Sequence, residues 1–239
     1  MSDEQKRIGM IVPSLNTIGE DDLRKFCPVD VKYHVHRIRL RKESGRVTPE
    51  SLVRAHLEAI DEASYLKDLN PDAVTFNCTG ASVAYGVNGH RHLAERMSQE
   101  LGIPSSNTMV AIKRALEKTG ARKIVHVCPF AGIFAQEEKG SLEAAGINVL
   151  DSVGLNFVDA REAALMDPEK LASIAMRYAI PGMDAILLSC ANVRAFEAVE
   201  MLEQALKVPV LTSNQAVLWD VLRLMGWTGS VPGGGSLFR

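Results

Sequence analysis

Short apolar runs recur along the chain and alternate with longer stretches in which apolar residues follow a helical spacing. Runs of this length predict β-strands, and each stretch between them is long enough for a helix. Strands that alternate with helices are typical of an α/β fold with parallel sheets. The predicted strands span residues 8–12, 31–40, 73–76, 124–127, 149–152, 185–188 and 208–211.

Residues that favour helix ends support this division. Thr48 is a good N-cap, and Pro49 follows it at the first helical position. A second helix is predicted between Asn107, as N-cap, and Gly120, as the glycine after its last turn. An Asp-Pro pair at residues 167–168 begins a third helix, and the Gly-Gly-Gly run at 233–235 predicts a flexible tail.

The two halves of the chain resemble each other. Residues 7–13 and 123–129 share a basic residue, an apolar run and a proline at an offset of 116. An Asp-Ala pair and a later cysteine recur at an offset of 112, within residues 72–78 and 184–190. A segment ending in asparagine, residues 103–107, recurs at 208–214. Alternating units produce weak self-similarity on their own, but three paired landmarks in the same order favour a duplication.

Composition limits the classes of function. Of the 239 residues, 46% are hydrophobic and 23% are charged, as in an ordinary globular protein. The net charge of −2 gives no electrostatic basis for binding nucleic acid. Residues 1–7 are polar and precede only a short apolar run, unlike a signal peptide or membrane span. Four cysteines without a CxxC pair argue against a zinc knuckle or disulfide framework, so we expect a cytoplasmic protein with reduced thiols.

Two of the cysteines occupy equivalent positions in the repeat. Cys78 and Cys190 each lie just beyond a predicted strand, where functional residues of parallel α/β sheets collect. Backbone N–H groups and a helix dipole are expected there to lower the pKa of a thiol toward the physiological range. A lone free cysteine is more often a small buried residue, and Cys27 and Cys128 are interpreted in that way.

A pseudo-twofold relation between the halves would make Cys78 and Cys190 face each other across a cleft. One thiol can then attack carbon or take a proton on one face of a substrate, while the other delivers a proton to the opposite face. The surrounding loops offer hydroxyls, amides and unhindered backbone N–H groups that can hold a carboxylate. The candidate substrate-binding residues in these loops are Pro13, Ser14, Asn16, Thr79, Gly80, Ala191, Asn192 and Asn214.

Four motifs together carry a family resemblance: PSLNT at residues 13–17, NCTG at 77–80, SCAN at 189–192 and PVLTSNQ at 209–215. They resemble the aspartate/glutamate racemase superfamily, in particular its branch of maleate cis-trans isomerases and arylmalonate decarboxylases. The resemblance implies two Rossmann-like lobes related by a pseudo-twofold axis, with the active site in the cleft between them. The lobes are expected at residues 1–115 and 116–213, with residues 214–239 returning to the first.

The same resemblance implies a cofactor-independent isomerase or racemase of a small carboxylic or dicarboxylic acid, without a metal. Cys78 would add to the double bond as a thiolate, Cys190 would handle the proton at the adjacent carbon, and Asn16 would bind a carboxylate. A homodimer or homotetramer is also implied. Two alternatives remain open: a cofactor-free decarboxylase that uses only Cys190, and a binding protein that has lost turnover. The decarboxylases of this branch keep only the second cysteine, so Cys78 weighs against the first alternative.

Two positions depart from the family pattern. Phe130 follows Pro129 where the family commonly has a tyrosine whose hydroxyl helps to hold a carboxylate. An Asp-Asn pair of the next region is Asp159-Ala160 in this chain. Losing a hydrogen-bond donor to a carboxylate costs roughly 1–3 kcal/mol for each unpaired group. The thiol pair is therefore predicted to be intact and the substrate pocket, including Phe130, to be altered.

Overall fold

A computed structural model describes residues 5–239, so the first four residues of the polar start lie outside the described part. Within that part, eight strands form two four-stranded sheets, and all paired strands are parallel. The strands are β1 (Lys6–Pro13), β2 (Val31–Ile38), β3 (Ala73–Phe76), β4 (Ser105–Asn107), β5 (Lys123–Cys128), β6 (Asn148–Gly154), β7 (Ala185–Leu188) and β8 (Val210–Thr212).

Helices connect the strands in alternation, as predicted. They are α1 (Ile18–Phe26), α2 (Pro49–Glu62), α3 (Thr79–Val83), α4 (Gly89–Leu101), α5 (Thr108–Thr119), α6 (Ile133–Glu143), α7 (Ala160–Ala164), α8 (Pro168–Arg177), α9 (Val199–Leu206) and α10 (Ser213–Leu224). The predicted N-caps Thr48, Asn107 and Asp167 are confirmed, because each side chain accepts a backbone N–H of the first turn. None of the helices within residues 5–239 is both long and apolar enough to cross a membrane.

The two sheets repeat one topology, which confirms the predicted α/β fold with two lobes. The first has the order β2-β1-β3-β4 and the second β6-β5-β7-β8. Their registers also correspond, since Ile8 pairs with Ala73 in the first sheet and Ile124 with Ala185 in the second. These pairs keep the offsets of 116 and 112 found in the sequence.

A repeated aspartate aligns the central strands in both lobes. Asp72 accepts the backbone N–H of Arg7 at 2.8 Å, and Asp184 accepts that of Lys123 at 2.7 Å. Each carboxylate lies just before its strand and bonds the first residues of the neighbouring strand. The aspartate of the repeated Asp-Ala pair therefore aligns two neighbouring strands in each lobe, which explains why the pair recurs in both halves of the sequence.

The strand β4 was not predicted, because it contains no apolar residue. Its three side chains are nevertheless buried and bonded inside the protein. Ser106 Oγ donates to the carboxylate of Asp220, and Asn107 Nδ2 donates to the backbone oxygen of His90 at 2.6 Å. Buried polar groups are tolerated when they are hydrogen-bonded, so apolar patterning gives no signal for such a strand. The predicted strands 31–40 and 208–211 also end elsewhere, at Ile38 and Thr212.

One apolar core is shared by both sheets. It combines Met10 of β1 and Leu187 of β7 with Ile112 of α5 and Val217 of α10. A separate cluster that includes Phe76 covers the other face of the first sheet. Because residues of both halves enter the same core, the lobes are packed against each other, and the lobe boundary near residue 115 stays a prediction.

The C-terminal segment is packed, so the predicted flexible glycine tail is wrong. Ser236 donates its backbone N–H and its hydroxyl to Glu203 of α9, and Leu237 and Phe238 are buried. Gly235 has a positive φ of 63°, and a Cβ there would lie 2.5 Å from Val199 Cγ1. Glycine is required at this position because the backbone turns tightly against α9.

The helix α10 follows the last strand of the second half but packs on β3, β4 and α5 of the first half. Its Asp220 side chain is 3% exposed and accepts hydrogen bonds from Ser106 Oγ and from Arg114 Nη1 at 3.0 Å. We expect Arg114→Ala to lower the free energy of unfolding by about 1–3 kcal/mol, since it leaves a buried carboxylate with one donor fewer. Urea unfolding measures this change.

The matched control is Arg24→Ala, which breaks the exposed pair between Arg24 and Asp21 on α1. Exposed pairs of this kind are worth about 0–1 kcal/mol. Equal effects of the two substitutions would contradict the buried anchoring of α10.

Candidate active site

The loops that follow β1, β3, β5 and β7 meet at the carboxyl edges of the two sheets and enclose a cavity of about 490 Å³. This is the usual place of a ligand site in parallel α/β folds. Segments after β2 and before α7 complete its walls. Nine of the predicted site residues line it: Pro13, Asn16, Cys78, Thr79, Gly80, Phe130, Cys190, Ala191 and Asn192.

The cavity brings the two predicted thiols together from equivalent strand ends. Cys78 follows β3 as the N-cap residue of α3, where its side chain makes no cap hydrogen bond, although the nearby backbone N–H groups of Ala81 and Gly80 act to lower the pKa of the thiol. Cys190 follows β7, and the backbone N–H of Asn192 points to its sulfur at 3.4 Å. A negative charge on Cys78 would raise the pKa of Cys190, so the two sulfurs lie within electrostatic reach of each other.

The backbone at Cys190 is strained in a way that its neighbours support. Its φ is +101°, in a region that residues with a side chain rarely adopt. The backbone N–H of Cys190 donates to Ser213 Oγ at 2.9 Å, and that hydroxyl lies 3.0 Å from Thr79 Oγ1 of the other lobe. Backbone strain of this kind is concentrated at functional sites, where surrounding contacts hold it.

The pKa values of both thiols are raised, whereas the sequence predicted that they would be lowered. Burial raises the pKa of Cys78 to about 11 and that of Cys190 to about 12, and the charge of Glu138 adds to both. Backbone N–H groups lower both pKa values, but burial outweighs them. The expectation of depressed pKa values is wrong, because the residue pattern shows where the donors lie but not how deeply the thiols are buried.

Asn16 and Asn192 connect the loops of the two lobes. Asn16 Nδ2 donates to the backbone oxygen of Ala191 at 3.0 Å, while its Oδ1 accepts the N–H of Gly19. Asn192 Oδ1 accepts the N–H of Thr17 at 2.9 Å. Both amides line the cavity but are largely engaged within the protein. Asn16 keeps one N–H that these bonds do not use.

Two predicted residues do not line the cavity. Asn214 donates to Asp22 at 2.6 Å and to the Ala191 oxygen at 3.2 Å, and its Oδ1 accepts from Asn77. Its amide is thus fully used in the seam between the lobes. Ser14 is exposed, and its Oγ accepts the backbone N–H of Leu40.

The outer wall of the cavity is apolar where the family pattern has polar groups. Phe130 lines it beside Phe134, with ring centroids 6.3 Å apart in an edge-on arrangement, and Phe157 and Ala160 continue the surface. Phe130, the residue from which an altered pocket was predicted, therefore does line the cavity. Such a wall favours a substrate with an apolar part.

Several polar residues of the cavity were not predicted from the sequence. Lys42 and Arg46 line its exposed mouth, and Glu138 of α6 lines its interior. The basic residues follow β2 and resemble an ordinary solvated strand edge in the sequence. Glu138 lies in a charged helical segment, Gln136 to Lys139, where nothing in the spacing distinguishes it.

Glu138 belongs to a buried polar network next to Cys190. It accepts a short hydrogen bond from Ser189 Oγ, and His126 Nε2 lies 3.0 Å from both groups. His126 Nδ1 lies 2.9 Å from Ser152 Oγ. Ligand-type atoms of His126, Cys128 and Glu138 lie within 4.8 Å of one another. Each already has a hydrogen-bond partner in the protein, so the cluster is better described as a polar network than as a metal centre.

Comparison with known proteins agrees with this architecture. The family model of arylmalonate decarboxylase matches residues 8–238, nearly the whole chain. The chain belongs to the arylmalonate decarboxylase family. A solved structure of the maleate isomerase Iso from Pseudomonas putida S16 with maleate has a TM-score of 0.90 at 25% identity, covering 98% of this chain and 97% of that one.

The curated relatives of this chain carry two different enzyme names. The maleate isomerase of Geobacillus stearothermophilus is 28% identical over 97% of this chain and 96% of its own. The arylmalonate decarboxylase of Bordetella bronchiseptica is 29% identical over 97% of this chain and 95% of its own. The comparisons thus leave an isomerase and a decarboxylase as the chemistries to be weighed.

In this member of the arylmalonate decarboxylase family, the seam beside the site contains a titratable acid. Burial raises the pKa of Asp22 from 3.8 to about 7, although the hydrogen bond from Asn214 opposes the shift. Between these two values the folded state holds a proton that the unfolded chain has released. The free energy of unfolding must therefore fall as pH rises through this window.

We expect Asp22→Asn to remove this dependence. From pH 5 to pH 8 the free energy of unfolding of the wild type should fall by about 2.6 kcal/mol relative to the variant. Denaturant titrations at both pH values measure the difference. Asp21→Asn, at the exposed neighbouring carboxylate, should follow the wild type. Parallel curves for wild type and Asp22→Asn would show that Asp22 is ionised throughout.

Proposed function

We propose that this chain is a cofactor-independent cis-trans isomerase of a small unsaturated acid, with Cys78 as nucleophile and Cys190 as proton donor. The observation that carries the proposal is the presence of two thiols, from equivalent strand ends, in the walls of one cavity. The relatives named maleate isomerases, which match over nearly their whole length, support the same chemistry. Maleate is the simplest probe of the proposed class.

The thiol pair can isomerise such an acid without a net redox change. Cys78 first loses its proton to solvent, and its thiolate then adds to one alkene carbon. The π electrons move to the adjacent carbon, where the neighbouring carboxylate stabilises them. Cys190 supplies a proton to that carbon, and the former double bond, now single, rotates. Return of the proton to Cys190 restores the double bond in trans form and expels the Cys78 thiolate. Covalent catalysis of this kind divides one difficult step into two easier ones.

The surroundings of the thiols support this division of roles. Cys78 is the N-cap residue of α3, where nearby backbone N–H groups favour its thiolate. Cys190 lies at the end of β7, and its backbone is held by Ser213. A nucleophile is helped by groups that favour its thiolate, whereas a proton donor is better kept protonated.

A decarboxylase is the second candidate, and the apolar outer wall is the observation that favours it. Phe130, Phe134 and Phe157 can accept an aryl group, as an arylmalonate requires. Cys190 would then protonate the carbanion left by loss of carbon dioxide, and Cys78 would take no part. The presence of Cys78 in the cavity argues for the isomerase.

Further properties stay predictions. A homodimer or homotetramer is expected from the family resemblance, and a cytoplasmic location from the use of cysteine. A small anionic substrate is the expected partner, with no role for nucleic acid.

Incubation with maleate in deuterated water, followed by proton NMR, tests the proposed function. We expect the wild type to form fumarate and Cys78→Ser to lose activity by at least about a hundredfold, because a hydroxyl is a much weaker nucleophile than a thiolate. Cys27→Ser is the matched control, since Cys27 does not line the cavity. It should retain activity.

Each other result has a defined meaning. Activity that survives Cys78→Ser would contradict the two-thiol mechanism. Carbon dioxide released from an arylmalonate, without isomerisation of maleate, would identify the decarboxylase. Binding of these acids without turnover would identify a binding protein.

The altered wall gives a second prediction. Phe130→Tyr adds a hydroxyl at the edge of the cavity, and a hydrogen bond to a charged group is worth about 1.5–3 kcal/mol. We expect the KM for maleate to fall about tenfold, in proportion to one such bond. Phe134→Tyr adds the same atom to the neighbouring ring and should have a smaller effect. Equal KM values for both variants would contradict a specific role of position 130.

A further inference from the structure

Glu138 is a buried carboxylate that the proposed thiol chemistry does not use. It lies on α6, which packs against α3, the short helix that begins after Cys78. Its residue is 6% exposed, yet it lines the same cavity as both thiols. Charged residues are rarely buried without a partner, and carboxylates in a cavity are therefore candidates for a role in its chemistry.

The hydrogen bonds of Glu138 connect it to the backbone that carries Cys190. Ser189 Oγ donates to the carboxylate, and Ser189 N–H bonds the backbone oxygen of Val127 in β5. His126 Nε2 lies 3.0 Å from the same carboxylate oxygen. The carboxylate is thus fixed one residue from a thiol whose backbone adopts a positive φ.

The groups that face Glu138 are thiols and one imidazole. Its charge acts on Cys78, Cys128 and Cys190, and on the adjacent Glu137. His126 is the basic group in direct contact with it among residues 5–239. The cationic side chains that line the cavity, at positions 42 and 46, lie at its exposed mouth, where solvent screens them.

A fixed anion beside a thiol opposes formation of a thiolate, since two negative charges would share a poorly solvated space. The same charge acts on Cys78, so the nucleophile must lose its proton against it, whereas the proton donor benefits because its thiol keeps the proton until a carbanion forms. We propose that Glu138 is a positioning residue whose negative charge holds the Cys190 thiol in its protonated, proton-donating form. Its hydrogen bond from Ser189 holds the carboxylate against the residue that precedes Cys190.

The test measures the reactivity of each cysteine without any substrate. Iodoacetamide alkylates thiolates, and peptide mass spectrometry gives the rate for each cysteine separately across a pH series. Glu138→Gln removes the charge but keeps the shape of the side chain. We expect the alkylation rates of Cys190 and Cys78 at neutral pH to rise about tenfold, which corresponds to one pKa unit.

Three controls separate the charge from a loss of structure. Glu143→Gln makes the same change at an exposed position of α6 and should alter no rate. Cys27, whose pKa is raised by burial and by Asp30, should react at the wild-type rate in Glu138→Gln. A rise at Cys27 as well would indicate a loosened fold. In that case Glu138→Asp, which keeps the charge, becomes the deciding variant and should stay within about twofold of wild type.

Unchanged or slower alkylation of Cys190 in Glu138→Gln would overturn the proposal, as would an equal rise in Glu138→Asp. The part that Glu138 plays in turnover rests on the proposed function, but the alkylation rates do not. A protein that fails to isomerise maleate and still shows the tenfold rise would refute the proposed function and leave the electrostatic role intact.

Discussion

The hydrogen bonds across the seam between the lobes are the constraint on which the site depends. The backbone oxygen of Ala191 accepts from the amides of Asn16 and Asn214, one from each half of the chain. Asn77 and Asp22 of the first half complete this chain of contacts through Asn214. Buried polar groups of this kind are costly to leave unpaired, so the network tolerates only a narrow range of lobe positions. This closure holds the loops of Cys78 and Cys190 around the same cavity.

Closure also determines the electrostatics of the thiols. Burial in this cleft raises the pKa of Cys78 and Cys190 more than nearby N–H groups lower it. The duplicated fold would give two equivalent thiols, but Cys78 is the N-cap residue of α3, whereas Cys190 has a positive φ and follows Ser189. In the proposed mechanism, this inequality between the two halves lets the same side chain serve as acid and as nucleophile.

The sequence predicted those features that depend on local pattern. The repetition of one strand–helix pattern in both lobes follows from the duplication, and the positions of Cys78 and Cys190 follow from strand ends that apolar runs reveal. The polar strand Ser105–Asn107 was missed because its burial depends on Asp220, more than a hundred residues away. The burial of Glu138 and the packing of Gly235 on α9 were missed for the same reason, since both depend on contacts with distant segments of the chain. The direction of the thiol pKa shift could not be predicted, because the residue pattern shows where hydrogen-bond donors lie but not how deeply the thiols are buried.

The inner part of the cavity keeps the residues of the family pattern, whereas the outer part departs from it. The inner part keeps both thiols, the Asn16 amide and the loops that hold them. The outer part has carbon at Phe130 and Ala160, where the family commonly offers donors, and cations only at the solvated mouth. An isolated carboxylate buried against phenyl rings would lose its hydration without gaining a hydrogen bond in return, at a cost of roughly several kcal/mol. A substrate that fits this cavity therefore places its reacting carboxylate near the thiols and an apolar or outward-facing group against the wall. The mechanism can be retained under such a change, because the chemistry requires only the inner part.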